Sequence, residues 1–160
     1  MVIEHYTNGS RYEGEKLNGM RHGKGRFYYE EGSCYDGEWK NNRMHGQGKL
    51  YYANGRLAYD GQWLSDEFNG FGKVYNDVYE ISDEMLDYRD LNSASGKWKY
   101  YEGSLISDSK EGRGKIVFLN GEYYEGDFRN DRFDGEGRYV RKNGEVVRGI
   151  WHDSLLEKVL

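Results

Sequence analysis

The chain of 160 residues contains no proline and a single cysteine, and no stretch of it approaches the ~20 apolar residues needed to cross a bilayer as a helix. Cys34 therefore has no partner for an internal disulfide. Met1 to Ser10 lacks the apolar core of a signal peptide, so the expected compartment is reducing and cytoplasmic. A basic excess is also missing: 23 Lys+Arg against 28 Asp+Glu leave a net charge of -5, which argues against nucleic acid as a partner. Mean hydropathy is low, at -1.03. Yet 16 Tyr, 6 Phe and 4 Trp supply more apolar area than a disordered segment carries, so the chain is expected to fold.

What it has in abundance is glycine, 23 residues of it. Without proline beside it, glycine is not marking loops at random and must have a positional task. A Tyr-acid-Gly signature recurs at Tyr12-Glu13-Gly14, Tyr35-Asp36-Gly37, Tyr59-Asp60-Gly61, Tyr101-Glu102-Gly103 and Tyr124-Glu125-Gly126, with a decayed sixth copy at Val147-Arg148-Gly149. The first five are each followed at a fixed offset by a Gly-x-Gly pair: Gly23/Gly25, Gly46/Gly48, Gly70/Gly72, Gly112/Gly114 and Gly135/Gly137. Short polar pairs separate the two segments, at Asn18-Gly19, Asn41-Asn42, Ser65-Asp66, Ser107-Asp108 and Asn130-Asp131, and a second set of turn residues closes each copy. Each unit reads as strand, turn, strand, turn, which is a β-hairpin.

Strand alternation assigns the faces. In Tyr35-Asp36-Gly37-Glu38-Trp39 the Tyr, Gly and Trp share one side and the acids the other. If glycine pairs with glycine across strands, the aromatic rings lie on a bare backbone floor. The opposite face collects acids from first strands (Glu13, Glu15, Asp36, Glu38, Asp60, Glu102, Glu125, Asp127) and bases from return strands (Arg26, Lys49, Lys73, Lys115, Arg138). Cross-strand pairs of this kind are worth about 0.2–1 kcal/mol each and serve register more than stability.

These copies resemble MORN (membrane occupation and recognition nexus) repeats, whose pattern is Tyr-x-Gly-x-Trp followed by a Gly-x-Gly strand. The resemblance implies an all-β fold, an elongated, twisted single-layer antiparallel sheet of tandem hairpins with a groove. It further implies a non-catalytic scaffold role in cilia, cytoskeleton or membrane junctions. Some copies depart from the pattern: Lys16, Leu105 and Phe128 stand where the repeat has Trp. The expected organisation is residues 1–77 as the first three repeats, 78–99 as an acidic insertion, 100–152 as the last repeats with a partial final copy, and 153–160 as a C-terminal cap.

The insertion admits two readings. Val78, Ile81, Met85 and Tyr88 recur at helical spacing, with Ser82 or Asp83 as a helix N-cap, and such a segment could be a recognition element; the alternative is a degenerate repeat or solvated loop. At the C-terminus Leu155, Leu156, Val159 and Leu160 would share a helical face, as a cap on the sheet edge or as a dimer or partner contact. Catalytic chemistry is not expected. The Gly-x-Gly pairs lack the third glycine and the βαβ context of a dinucleotide site. His22 and His45 lack the ligands to complete a metal site, and Cys34 with His45 lacks an orienting third group. Neither cofactor nor metal is expected.

The sequence reading thus favours a scaffold docking other proteins, with a homodimer left open. Tyr35, Trp39, Tyr59, Trp63, Phe68, Phe71, Tyr124, Phe128 and Trp151 are the candidate partner-binding residues. The alternative is a phosphoinositide-binding tether, which the alternation of bases with acids disfavours, since lipid-binding surfaces cluster 4–8 Lys/Arg. A regulatory module of an enzyme is disfavoured because the repeats fill the chain. The resemblance points to a ciliary axoneme of radial-spoke type or another cytoskeletal assembly as the address.

Overall fold

The structure is a computed structural model, and it describes residues 1–78 and 80–160. The chain divides into two compact units, residues 1–72 and 73–160. The first holds β1 (Val2–His5), β2 (Arg11–Leu17), β3 (Met20–Tyr28), β4 (Cys34–Lys40), β5 (Arg43–Tyr51), β6 (Leu57–Leu64) and most of β7 (Glu67–Tyr75). The second holds β8 (Trp98–Ile106), β9 (Ser109–Phe118), β10 (Tyr123–Arg129), β11 (Arg132–Val140), β12 (Val146–His152) and β13 (Leu155–Val159). Within each unit every strand pairs antiparallel with its neighbours in sequence, so the all-β hairpin reading holds.

The register is the one the glycines ask for. Gly14 lies opposite Gly25, Gly25 opposite Gly37, Gly37 opposite Gly48 and Gly48 opposite Gly61. In the second unit Gly103 faces Gly114, Gly114 faces Gly126, Gly126 faces Gly137 and Gly137 faces Gly149. Tyrosine rings lie across these pairs: a Cβ added at Gly137 would stand 2.5 Å from Cε2 and Cζ of Tyr124, and Gly25, Gly48, Gly72 and Gly114 are closed in the same way by Tyr12, Tyr35, Tyr59 and Tyr101. Each phenol then donates to a main-chain carbonyl three residues on: Tyr12 to Glu15, Tyr35 to Glu38 (2.7 Å), Tyr59 to Gln62, Tyr101 to Ser104 and Tyr124 to Asp127. Burial pushes the Tyr35, Tyr101 and Tyr124 phenols upward in pKa, so they stay protonated donors.

The turns fold as their composition requires. Both central residues have positive φ at Asn41-Asn42, Ser65-Asp66, Ser107-Asp108, Asn130-Asp131 and Asp153-Ser154, the geometry of two-residue hairpins that match strand twist. Asn and Asp tolerate it, and their side chains have a second use. Oδ1 of Asn42 accepts from Arg21 N, Asp66 Oδ1 from Met44 N and Asp131 Oδ1 from Lys110 N, each at 2.8 Å. The main-chain N–H of the same three residues donates back to the carbonyl of the same partner. Each turn thereby clips onto the return strand of the preceding hairpin. In the first such turn, Asn18-Gly19, both residues again have positive φ, and a Cβ added at Gly19 would meet nothing within 4 Å.

The return strands carry bulges that the sequence reading did not foresee. Register slips between Gly14 and Lys16 and between Gly37 and Trp39, opposite Gly23 and Gly46, which have φ of +68° and +66°. The amides freed there are captured by side chains: Lys24 N donates to Glu15 Oε2 and Gln47 N to Glu38 Oε2, both at 2.6 Å, and Phe71 N to Gln62 Oε1 at 2.7 Å. Glu15 and Glu38 are therefore structural acceptors as well as members of the charged face. The expected cross-strand ion pairs form beside them, such as Arg26–Asp36 at 3.1 Å and Arg138–Glu125 at 2.9 Å, largely exposed and of small energetic weight.

Two segments that admitted a helical reading are not helices. The insertion is not helical over the described part of residues 78–90; the one helical element among the described residues is a single 3₁₀ turn, Leu91–Ala94. Tyr79 within that span lies outside the described residues. Of the residues at helical spacing, Val78, Ile81 and Met85 are exposed, while Leu86, Leu91 and Ala94 are buried. The segment has no regular secondary structure over 80–87 and, besides its own turn bond from Asp90 N to Asp87 O, takes its main-chain partners from β13 and from the turns after β9 and β12, which an internally hydrogen-bonded helix could not do. The C-terminal residues are not a helical cap either: Asp153-Ser154 is a sixth hairpin turn and Leu155–Val159 the strand it returns.

The floor account makes a direct prediction. Gly48→Ala should cost about 3 kcal/mol, an overpacking penalty, because its Cβ would enter the Tyr35 ring. Gly55→Ala, at φ +86° with open space around it, should cost only the left-handed backbone penalty of about 1–2 kcal/mol. Urea unfolding midpoints decide this, and equal costs for the two would contradict the packing argument.

Candidate protein-docking face

The aromatic face of the first unit is built in layers. At its base Tyr12, Tyr35 and Tyr59 are fully buried and Trp39 and Trp63 nearly so. The rings alternate edge to face: Tyr12–Trp39 at 5.6 Å, Tyr35–Trp39 at 5.1 Å, Tyr35–Trp63 at 5.1 Å and Tyr59–Trp63 at 5.2 Å between centroids. Contacts of this kind add about 0.5–1.5 kcal/mol each beyond area. The indoles finish the job by donating into the sheet, Trp39 Nε1 to Gly25 O and Trp63 Nε1 to Gly48 O, both at 3.0 Å.

Over this base lies a second layer of half-buried side chains, Phe27, Tyr29, Met44, Leu50 and Phe68. Phe68 stacks flat on Tyr59, 3.9 Å between centroids. Arg21 covers the other end, its guanidinium carbon 4.9 Å from the Trp39 centroid and 5.2 Å from that of Phe27. It donates through Nη1 to Tyr6 Oη at 3.2 Å and through Nη2 to Asn42 O at 3.1 Å. Arg21 Nε is buried without a hydrogen-bond partner. Nothing in the residue pattern singled Arg21 out, because only the three-dimensional stack reveals that its repeat position sits above the rings.

In the second unit the same face is closed by the insertion. Its ends are pinched by Asn76, whose N donates to Lys99 O and Nδ2 to Trp98 O at 2.8 Å. From there the strap crosses the sheet on a series of main-chain bonds: Ser82 N to Leu119 O, Leu156 N to Arg89 O and Leu91 N to Ser154 O. Asn120 Nδ2 donates to Glu84 O at 3.1 Å, and Trp151 Nε1, instead of donating into the sheet as Trp39 and Trp63 do, reaches Tyr88 O at 2.9 Å. Tyr88 packs on Tyr139 at 5.7 Å, and Lys142 pairs with Asp83 at 2.7 Å. Repeat positions that are half-buried in the first unit are consequently buried here, with Ile116 at 5%, Tyr139 at 0% and Phe133 at 7% exposure. A cleft of about 260 Å³ remains between the 3₁₀ turn and Phe118, Phe128 and Phe133.

The candidate residues thus divide. Tyr35, Trp39, Tyr59 and Trp63 form the buried base of the first face, and Phe68 belongs to its upper layer. Tyr124, Phe128 and Trp151 are buried in the second unit. Phe71 neighbours Gly72, which faces the Tyr59 ring, so alternation puts it on the charged face, where it is 59% exposed. Burial raises the Cys34 thiol, which opposes a nucleophilic role. One group of carboxylates and histidine converges among the described residues: His152 lies 3.7 Å from Asp134 and 3.6 Å from Asp153, all three at or near the surface, and Asp153 also meets Arg132.

Beneath the strap sits one buried acid. Glu122 accepts from Tyr139 Oη at 2.7 Å, Lys142 N at 2.9 Å and Asn120 Nδ2 at 3.0 Å. Burial works to raise its pKa, and the three donors together outweigh that and hold it below the usual carboxylate range. Its contribution to stability is therefore full above the unfolded value of ~4.3 and is lost as pH falls through the lower, folded value. Glu122→Gln should lose about 1–3 kcal/mol at pH 7 and flatten the acid limb of stability against pH. A variant with wild-type stability and an unchanged acid limb would show that the network does not hold the charge.

The MORN repeat family model matches residues 12–34, 35–55, 59–76 and 124–146, together more than half of the chain. No curated protein matches the chain significantly. The fourth hairpin, with Leu105 in place of Trp, falls outside the matched spans yet keeps the pairing of Gly103 with Gly114 and the Tyr101 phenol bond. With the tyrosine–glycine register seen in both units, the chain belongs to the MORN-repeat family.

Proposed function

We propose that the protein is a non-catalytic scaffold that docks segments of other proteins on the aromatic face of its first unit. The observation that carries this reading is the layer of Phe27, Met44 and Leu50, half-buried in the first unit, against the burial of the corresponding positions in the second by an extended strap. A face that accepts an extended chain in one unit is built to accept one in the other, given the same repeat and register. The family resemblance supports a place in a ciliary axoneme or cytoskeletal assembly. Membrane tethering through phosphoinositides is the weaker reading, because the bases of the charged face are opposed by acids in register, as in Arg26 with Asp36 and Lys49 with Asp60.

Trp63→Ala would remove a ring of the buried base and report on folding, at about 3–5 kcal/mol. The binding test therefore uses the upper layer. Phe27→Ala and Leu50→Ala should each weaken affinity for a co-purified native partner by more than ~1 kcal/mol in a folded protein. Lys73→Ala, where the ammonium rests 4.2 Å from the Tyr100 centroid on the charged face, should bind like wild type. Phe71→Ala reports whether the exposed ring adds a second contact. Loss of binding only in Lys73→Ala or Phe71→Ala would move the working surface to the charged face.

A further inference from the structure

The charged face neutralises itself strand by strand until the last hairpin, where the pattern inverts. Arg26 lies between Glu13 and Asp36, Lys49 between Asp36 and Asp60, and Lys115 between Glu102 and Glu125. Arg138 has an acid, Glu125, on one side only. On the other it faces Arg148, a base in the decayed sixth copy at the position where the five other copies carry an acid. Like charges directly opposite on a sheet face are destabilising. Arg148 has no compensating acid across β13 either: its neighbour there is Leu160, whose N–H donates to Arg148 O, and its side chain makes no ion pair or hydrogen bond among the described residues. Lys158, opposite Ile150, adds a third base to the same face.

Arg148, Arg138 and Arg113 line a cleft of about 140 Å³ on this face, together with Glu125 and Glu136. All three guanidinium groups are open to solvent and retain free donors. Arg138 gives Nε and Nη2 to Glu125 and keeps Nη1, while Arg113 gives Nη1 to Asp127 at 3.3 Å and keeps Nε and Nη2. Their side chains are 37% and 72% exposed, and Arg148 is exposed. We propose that this cleft recognises a phosphate monoester carried on a segment of a partner protein, with Arg148 as the principal binding residue. A guanidinium fork matches a pair of phosphate oxygens, and three terminal oxygens serve three arginines where a carboxylate has only two. A bilayer surface is the poorer ligand, because it calls for about 4–8 bases together, and here Glu125, Glu136 and Asp127 stand among the arginines. The site uses none of the aromatic residues and is independent of the docking reading.

Phosphate recognition is read in the full chain by ¹⁵N NMR of the arginine side chains, with the Arg148 Nε signal assigned from Arg148→Gln. The probe is a short neutral peptide centred on phosphoserine, compared with its serine and glutamate counterparts and with phosphatidylcholine vesicles containing phosphatidylinositol bisphosphate. The expected result is a saturable shift at Arg148 with the phosphoserine peptide and with no other probe. Arg148→Gln should weaken binding, followed at the Arg138 signal, about tenfold, the worth of one hydrogen bond to a charged group, and Arg26→Gln should leave it unchanged. Arg148→Glu restores the ladder of acids and bases, so it should abolish binding while raising the melting temperature by about 1–3 °C. A residue kept at a cost to stability is one that serves binding. The proposal is overturned by the absence of a saturable shift, by equal binding of the serine or glutamate peptide, or by an equal loss in Arg26→Gln. An unchanged or lower melting temperature in Arg148→Glu would overturn it too, by making Arg148 a structural residue. Binding of the vesicles in place of the peptide would replace it with a membrane ligand.

Discussion

A phenol ring laid across two paired glycines sets the terms for the rest of this molecule. The ring needs a floor with no Cβ, so two strands must bring glycine opposite glycine, and that demand fixes register where a plain alternating hairpin could slip by two residues. The phenol oxygen reaches a carbonyl at the start of the bulge, so the bulge position follows from the ring as well. The exception supports the rule. In the last hairpin Val147 replaces the tyrosine, and Val159 stands opposite Gly149 where other return strands place a glycine. Without a ring to seat, the floor is not required.

From that constraint follows an asymmetry between the two sides of the sheet. One side is stacked rings, of which the Tyr12, Tyr35 and Tyr59 phenols and the Trp39 and Trp63 indoles turn their donors inward, so what the first unit presents outward is mainly apolar side chains with an occasional cation. The other carries opposed acids and bases that neutralise one another strand by strand. Recognition by such a molecule falls naturally to the aromatic side. The strap of the second unit is an internal demonstration, since it replaces solvent over Tyr139 and Phe133 and gives Trp151 a carbonyl that the sheet does not supply.

Much of the fold was legible in the residues because glycine, turn pairs and Tyr/Trp recur at positions where only those residue types satisfy the geometry. The hairpins, the glycine register and the charge pairs all follow from two-residue alternation. The bulges did not, because the roles of Glu15, Glu38 and Gln62 depend on an amide freed several residues away, across a strand pair. The sequence left the strap open between a helix and a loop for a physical reason: Val78, Ile81, Met85 and Tyr88 fit a helical period, but main-chain bonds to Leu119, Ser154 and Leu156 take the place of helical ones, and the residues that bury are Leu86, Leu91 and Ala94. At the C-terminus the leucines drew attention from Asp153-Ser154, a turn pair of the same type as the others. Of the candidate site, the ring positions were readable and their depth was not: the base rings are sealed by a second layer, and Arg21 gave no sign in one dimension.

The central claim is that the glycines exist for the tyrosines. A double-mutant cycle on Tyr35 and Gly48 measures it, comparing Gly48→Ala in the wild-type background with Gly48→Ala in Tyr35→Leu by urea unfolding. If the ring is what forbids a Cβ, the cost of Gly48→Ala falls by at least about 1.5 kcal/mol once the ring is gone, well within the range of coupling energies for residues in contact. An unchanged cost would show that glycine is required by the backbone alone, and the account of register, bulge and stacked face would lose its foundation.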